Sequence, residues 1–445
     1  MSLFAFDSHR QHKIQFFLLL SCSLVLSLVT NAVFADSPLV VGKPASRVAV
    51  GPGIAESSIR QIVRTLDGYV YIAAVDDQGG PAWGFQRSTL LRMYKSTTAG
   101  IPEAFKEVDR LHHPRTSKNS TMSGGDMRLD RDGRIHVVYY RTKDGATIYQ
   151  LFDTNTDTWD RDSTVVTTFS GRADNPYYGN RGRTINSLAL DRDDTPFIAV
   201  GGDDGVKIFR KTASGWIEDV MLSTAQSVHP AMTFDRLRRL HVVWLETSGD
   251  YNFILYAMRD AAGVWSPPEL VFPGDANTLS NANLDQSPSI AVDSQNQPVV
   301  LYLSGEPGQT DNFVQTRTLS AGLWIADDPD TLFSHAPGLY LRGDTKFVFL
   351  GHDGLLHPGY LTHQPMDPDW SAVVNFQENE PSYAYDGSAS ARYDPQYEVD
   401  CTVVDVIYFD EASDTRGDFK PDLYYVAIKL NGAASGQAFC QEIAH

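Results

Sequence analysis

Three shortages narrow the function of this chain before any motif is sought. Basic residues are few, 37 Lys and Arg against 55 Asp and Glu, giving a formal net charge of −18. A non-specific nucleic-acid binder needs a basic footprint to displace phosphate counterions, so no nucleic-acid partner is expected; the acidity serves solubility. Cysteine is scarce, 3 residues in 445, and no Cys/His spacing of a zinc site occurs. His352 and His357, five apart in GHDGLLHPGY, read as turn residues. Long apolar runs are missing after the first 35 residues, so no later segment reaches the ~18 residues of a membrane span. Phosphate loops and the G-x-S-x-G elbow are absent as well, because GGD and GNRGR lack a strand-to-helix context.

The one long apolar run is N-terminal. Arg10, His12 and Lys13 precede FFLLLSCSLVLSLV, and Val33-Phe34-Ala35 ahead of Asp36 fits signal-peptidase cleavage. Residues 1–35 are therefore read as a signal peptide, and 36–445 as a single domain exported to the periplasm or the medium. The rival reading takes LLSC, ending at Cys22, as a lipoprotein box, but the apolar run continues through Val29. Cleavage would remove Cys22. Cys401 and Cys440 would remain as an even pair in an oxidising compartment, and a disulfide between them is expected.

What fills the rest is a repeat. Residues 229–265 alternate apolar and polar in PAMTF, turn at Asp235 to Arg239, run apolar through LHVVWLE, turn again, and continue as FILYAMR to Trp265. Such a sheet cannot bury both faces alone, and copies stacked beside it solve the problem. Seven first strands can be laid down, ending before Asp67, Asp130, Asp191, Asp235, Asp293, Gly343 and Asp394, at a mean spacing of about 54 residues. The expectation is an all-β, seven-bladed propeller of four-stranded antiparallel blades. A fourth strand opens with an aromatic in six units, Phe105, Trp159, Trp216, Trp265, Trp324 and Trp370, which reads as packing between blades. The seventh unit lacks this slot. Residues 37–43, SPLVVGK, are expected to supply its outer strand, so that one terminus closes the ring on the other.

The units MRLDRDGRIHVVYY and MTFDRLRRLHVVWL, with a Gly-x-Trp or near it at the fourth strand, resemble BNR-type repeats of secreted bacterial β-propellers. That resemblance covers about residues 56–430 and matches no single characterised member. It implies a group that includes sialidases and propeller polysaccharide lyases such as the ulvan lyases, and it is poor for function. A sialidase Asp box reads S-x-D-x-G-x-T-W, whereas Asp260 to Trp265 and Asp153 to Trp159 have other spacings, and no arginine triad is in place.

Two function classes stay open beside the sialidase-like hydrolase. One is β-elimination of a uronate-containing polysaccharide; the other is glycan or protein binding without turnover. In either, a monomer with a polysaccharide or glycan partner is expected. A lyase needs a base to take the proton beside the carboxylate and a group to neutralise that carboxylate. If first strands line the axis, the connections between blades share the face opposite the Asp-rich turns, and function should gather there. The connections at 111–125 and 170–183 are basic for so acidic a chain, with His112, His113, Arg115, Lys118, Arg172, Arg181 and Arg183. Local positive charge suits a carboxylated or sulfated glycan. The beginnings of first strands add Arg60, Asn186, His229 and His335, and Tyr177 and Tyr178 offer flat surfaces for sugar rings. The catalytic candidates are His229 or His113 as base, Tyr178 as acid and Arg183 as neutraliser; Arg60, His112, Arg115, Tyr177, Arg181, Asn186 and His335 are the binding candidates. No metal ligand set is assigned. Cofactors are unknown, with the acidic loop Asp410 to Asp422 as the place for a structural calcium, while DRDGR at Asp130 and DRDDT at Asp191 read as turns.

Overall fold

A computed structural model describes residues 62–76, 90–112, 122–141, 144–168, 186–225, 227–248, 251–272, 288–305, 312–327, 338–342, 344–350, 359–364, 369–371, 403–410 and 422–429. Short pieces at 39–40, 46–49, 374–375, 399–401 and 440–442 complete the set. The structure is all-β, a propeller of four-stranded antiparallel blades.

Six blades are each built from consecutive strands. Blade 1 comprises Ile62–Arg64, Val70–Asp76, Leu90–Ser96 and Phe105–His112. Blade 2 has Met122–Leu129, Arg134–Arg141 and Ala146–Asp153, with Thr158–Trp159 and Thr164–Thr168 sharing its outer edge. In blade 3 the strands are Asn186–Leu190, Pro196–Gly202, Gly205–Thr212 and Gly215–Met221; in blade 4, Ser227–Phe234, Leu240–Ser248, Tyr251–Arg259 and Glu269–Phe272. Blade 5 runs through Ser289–Val292, Pro298–Gly305, Asn312–Ser320 and Leu323–Ala326. Blade 6 takes Gly338–Arg342, Thr345–Leu350, Gly359–His363 and Val374–Asn375.

Seven such units were expected, and six are found as blades among the described residues. The segment SASARY before Asp394 lies outside the described residues, and the described strands of the last unit's sheet are Val403–Asp410 and Asp422–Lys429. The other edge of Asp422–Lys429 pairs with the N-terminal strands Leu39–Val40 and Ser46–Ala49, in registers such as Leu39 with Lys429 and Ser46 with Tyr425. This terminal sheet packs on blade 1 through Val48, Ile62, Ile72, Ile407, Leu423 and Tyr425.

The unit boundaries follow a single backbone device. The N–H of Asp130, Asp191, Asp235 and Asp293 each bonds to the carbonyl four residues on, closing the turn between first and second strands. Each Asp also accepts, on its own carboxylate, the N–H of residue i+4 at 2.7–2.8 Å. In blade 1 the same position is held by Thr65, whose N–H meets the Tyr69 carbonyl at 2.8 Å, so the unit starts two residues earlier than Asp67 suggested. Second strands are apolar on both faces because they lie between neighbouring blades: Val242 and Trp244 pack toward blade 3, Val243 and Leu245 toward blade 5.

The fourth-strand tryptophans do join blades. Trp216 meets Tyr149 of blade 2 edge-on, and Trp324 meets Tyr256 of blade 4 in the same way. The indole N–H of Trp265 donates to Asp219 of blade 3 at 2.9 Å, and that of Trp324 to Glu269 of blade 4 at 3.1 Å. Residues 1–38, which include the expected signal peptide, lie outside the described residues. So does most of the acidic loop at 411–421, and among the described residues no cluster of metal-binding side chains occurs. No described helix is long and apolar enough to cross a membrane.

Candidate functional site

Because strand direction alternates, the Asp turns occupy one face, and the connections between blades meet the first strands at the other. On the turn face, two blades carry a buried chain of polar groups. In blade 4, Asp235 Oδ2 lies 3.2 Å from His241 Nε2, and His241 Nδ1 lies 2.7 Å from the Tyr256 hydroxyl. Blade 2 repeats it with Asp130, His136 and Tyr149, at 3.0 and 2.6 Å. The carboxylate fixes the tautomer: Nε2–H donates to Asp, so Nδ1 accepts from the tyrosine. Burial pushes the Asp235 carboxyl up, but bonds from His241 and Arg239 outweigh it and hold it below the ordinary value. Burial lowers the His241 pKa, keeping the ring neutral, and raises that of Tyr256. These groups lie beside the turns and knit each blade together, and sequence reading had passed over them.

A second polar chain ties the first strands of blades 2, 3 and 4. Asp126 is sealed from solvent, paired with Arg128, and accepts from Ser187 Oγ at 3.1 Å and the Leu188 N–H at 2.7 Å. Ser187 Oγ in turn accepts the Met232 N–H at 3.1 Å. The three strands therefore keep a fixed height relative to one another. Nothing in the local pattern marked Asp126 or Ser187, since both sit at ordinary alternating positions.

His229 is carried on the last of these strands. Between Val228 and Ala231 the pairing with the second strand slips by one residue, a β-bulge, and His229 lies in it with φ of 55° and no exposed surface. A side chain at positive φ costs about 1–2 kcal/mol relative to the ordinary region. Blade 2 has the same slip between Ser123 and Gly125, and there the residue six before the turn Asp is Gly124, as a bulge favours. Blade 4 places an imidazole where its sister places glycine.

Asn186 begins the first strand of blade 3 and is also buried. Its Oδ1 accepts the Thr147 hydroxyl of blade 2 at 2.9 Å, while its Nδ2 has no hydrogen-bond partner among the described residues. His112 ends the fourth strand of blade 1, its backbone paired with Leu90. Asn186 begins its strand, and His229 is the third residue of the next blade's first strand. Arg60, His113, Arg115, Tyr177, Tyr178, Arg181, Arg183 and His335 lie outside the described residues.

No family model matches the chain, and no curated protein does. Solved structures do match. An ulvan lyase of polysaccharide lyase family PL25, bound to a glucuronate and sulfated rhamnose repeat, aligns over 87% of this chain and 95% of its own, with 9% identity and a TM-score of 0.54. Another polysaccharide lyase aligns over 88% and 99%, at 12% identity and a TM-score of 0.50. The α-L-arabinanase of Penicillium chrysogenum with arabinobiose covers 90% and 100% at 10% identity, with a looser TM-score of 0.47. At these identities the likeness is one of fold.

Proposed function

We propose that this chain acts on an acidic, uronate-containing polysaccharide by β-elimination, at the face where the first strands begin. The observation that carries the reading is His229, kept at a φ of 55° in a β-bulge of its first strand. Strain of this kind is retained where a side chain must be aimed. The lyases among its fold relatives support the substrate class.

In the proposed step His229, with His113 as the other candidate, takes the proton at C5 of the uronate. The C5–H electron pair becomes the C4–C5 double bond as the C4–O bond breaks, and Tyr178 protonates the leaving oxygen. Arg183 neutralises the carboxylate so that the C5 proton becomes acidic enough to transfer. Arg60, His112, Arg115, Tyr177, Arg181, Asn186 and His335 bind the polymer.

The proposal extends to the whole chain. A seventh blade forms from Val403–Asp410, Asp422–Lys429 and the N-terminal strands, closing the ring within one domain over residues 36–445. The protein is a monomer exported after cleavage at Ala35, with Cys401 and Cys440 bonded; their backbones are cross-strand partners, although no disulfide joins them in the structure. Incubation of the intact protein with a panel of uronate polysaccharides, followed by ultraviolet absorbance of the unsaturated product, tests the activity. Binding without new absorbance would assign the face to recognition alone.

A further inference from the structure

The junction between blade 1 and the terminal sheet is built unlike its neighbours. In blades 2 to 5 the residue just before the turn is buried and apolar: Leu129, Leu190, Phe234 and Val292. Blade 1 has Arg64 there, buried as deeply as they are. Its partner is Asp405, 341 residues away in the chain: Arg64 Nε donates to Asp405 Oδ2 at 2.8 Å, and Nη2 to Oδ1 at 2.5 Å. Nη1 donates to the Gly68 carbonyl at 2.8 Å and the Gly100 carbonyl at 2.6 Å, both in turns of blade 1. Nη2 also reaches the Tyr425 hydroxyl at 3.3 Å, and that hydroxyl donates to Asp405 Oδ1 at 2.7 Å. All five guanidinium N–H groups are thereby placed.

The group is a rewired copy of the polar chains in blades 2 and 4. Asp405 pairs with Ala427 across its sheet as His136 pairs with Leu151 and His241 with Met258. Tyr425, paired with Ile407, occupies the place of Tyr149 against Val138 and Tyr256 against Val243. In blades 2 and 4 the chain ends on the blade's own turn Asp, whereas here it ends on an arginine of another sheet. Connectivity explains the difference. Val403–Asp410 and Asp422–Lys429 come from the far end of the chain, and the apolar contacts of Ile407 and Leu423 with Ile62 and Ile72 carry no direction. A forked arginine–carboxylate pair does. Sliding the terminal sheet by two residues would carry Asp405 about 6–7 Å from the guanidinium. A buried pair adds little net stability over an apolar replacement, so its contribution at this seam is orientation.

We infer that Arg64, Asp405 and Tyr425 form a latch that holds the terminal sheet on blade 1 in one register, and that the molecule opens first at this seam when the latch is cut. The N-terminal strand Ser46–Ala49 is released with it, because Ser46 pairs with Tyr425 itself. The latch acts whatever the propeller binds, so its test needs the full chain and no substrate.

Hydrogen exchange read by mass spectrometry would follow Ser46–Ala49, Val403–Asp410 and Asp422–Lys429 against Leu240–Ser248 and Tyr251–Arg259 of blade 4. Arg64→Met strands the buried Asp405 charge and should speed exchange in the terminal sheet about 100-fold or more, with blade 4 within about threefold of the parent. Arg64→Lys keeps the charge but loses the fork, and should speed it about tenfold; it carries the test if Arg64→Met does not fold. Leu190→Ala, a cavity at the same position of blade 3, should not single out the terminal sheet. The triple variant Arg64→Leu, Asp405→Leu, Tyr425→Phe should recover the parent's melting temperature while its terminal sheet still exchanges about tenfold faster. Parental exchange in the triple variant would show that apolar packing alone seats the sheet, and would overturn the latch. Equal acceleration of the terminal sheet and blade 4 in Arg64→Met and Arg64→Lys, or parental exchange in both, would overturn it as well.

Discussion

Replacing Asp235 by Ala should cost far more than the same change at Asp191, although both residues open the same turn of sister blades. Asp235 is fully buried and serves three donors: the Arg239 N–H at 2.7 Å, Arg239 Nε at 2.5 Å and His241 Nε2 at 3.2 Å. Its loss leaves the His241 N–H sealed and without an acceptor, at about 1–3 kcal/mol, and orphans a turn N–H worth about 1 kcal/mol more. The Arg239 side chain is 30% exposed and can turn to water. The sum is about 2–4 kcal/mol. Asp191 accepts only the N–H groups of Asp193 and Thr195 in a half-open turn, and its loss should cost about 1–2 kcal/mol. Adding His241→Leu and Tyr256→Phe to Asp235→Ala removes the rest of the buried polar chain and should recover about 1 kcal/mol or more. Urea unfolding followed by tryptophan fluorescence measures all three. Equal costs for Asp235→Ala and Asp191→Ala would refute the reasoning that the buried chain, rather than the turn, carries the energy.

Other outcomes follow from the same groups. His241 has a folded-state pKa below 6.5, so the unfolded chain binds its proton more readily. Its contribution is therefore complete above pH 6.5 and shrinks as the pH falls toward the folded value. Asp109, Asp130 and Asp235 are held below 3.8, so their stabilisation is present above that pH and is lost as the pH drops through their lowered values. Melting temperature against pH should thus decline in two stages, and a flat profile from 7 down to 4 would contradict the first. Thiol titration of unreduced exported protein should find neither Cys401 nor Cys440 free, with reduction costing about 3–4 kcal/mol in the loop-entropy model. His229→Gly should be more stable than His229→Ala by about 1 kcal/mol, reversing the usual order, because glycine accepts a φ of 55°.

The blade pattern was legible because it is local. Alternation before an Asp turn and an apolar run after it located the first and second strands of blades 2 to 6 closely. Thr65 escaped because its turn is closed by backbone bonds that a threonine can also support, with Asp67 nearby as a more conspicuous marker. In the last unit the missing aromatic slot pointed to residues 37–43, and Leu39–Val40 pairs with Asp422–Lys429; the second N-terminal strand on that edge, Ser46–Ala49, carried no comparable signal. At the site, His229 stood out as a charged-type residue starting a strand. Its bulge did not, because slippage is a property of two paired strands. Thr147 was invisible for a similar reason: it lies inside an ordinary strand, ATIYQLFD, and acquires its hydrogen bond only from Asn186 in the next blade.

In the proposed function His229 is held in a strained position for chemistry on an acidic glycan. The rate of unsaturated-product formation by His229→Gly, in protein shown by circular dichroism to be folded, tests it most directly. A loss of about 100-fold or more relative to the parent is predicted, as for removal of a general base. A glycine variant that forms product at the parental rate would contradict it.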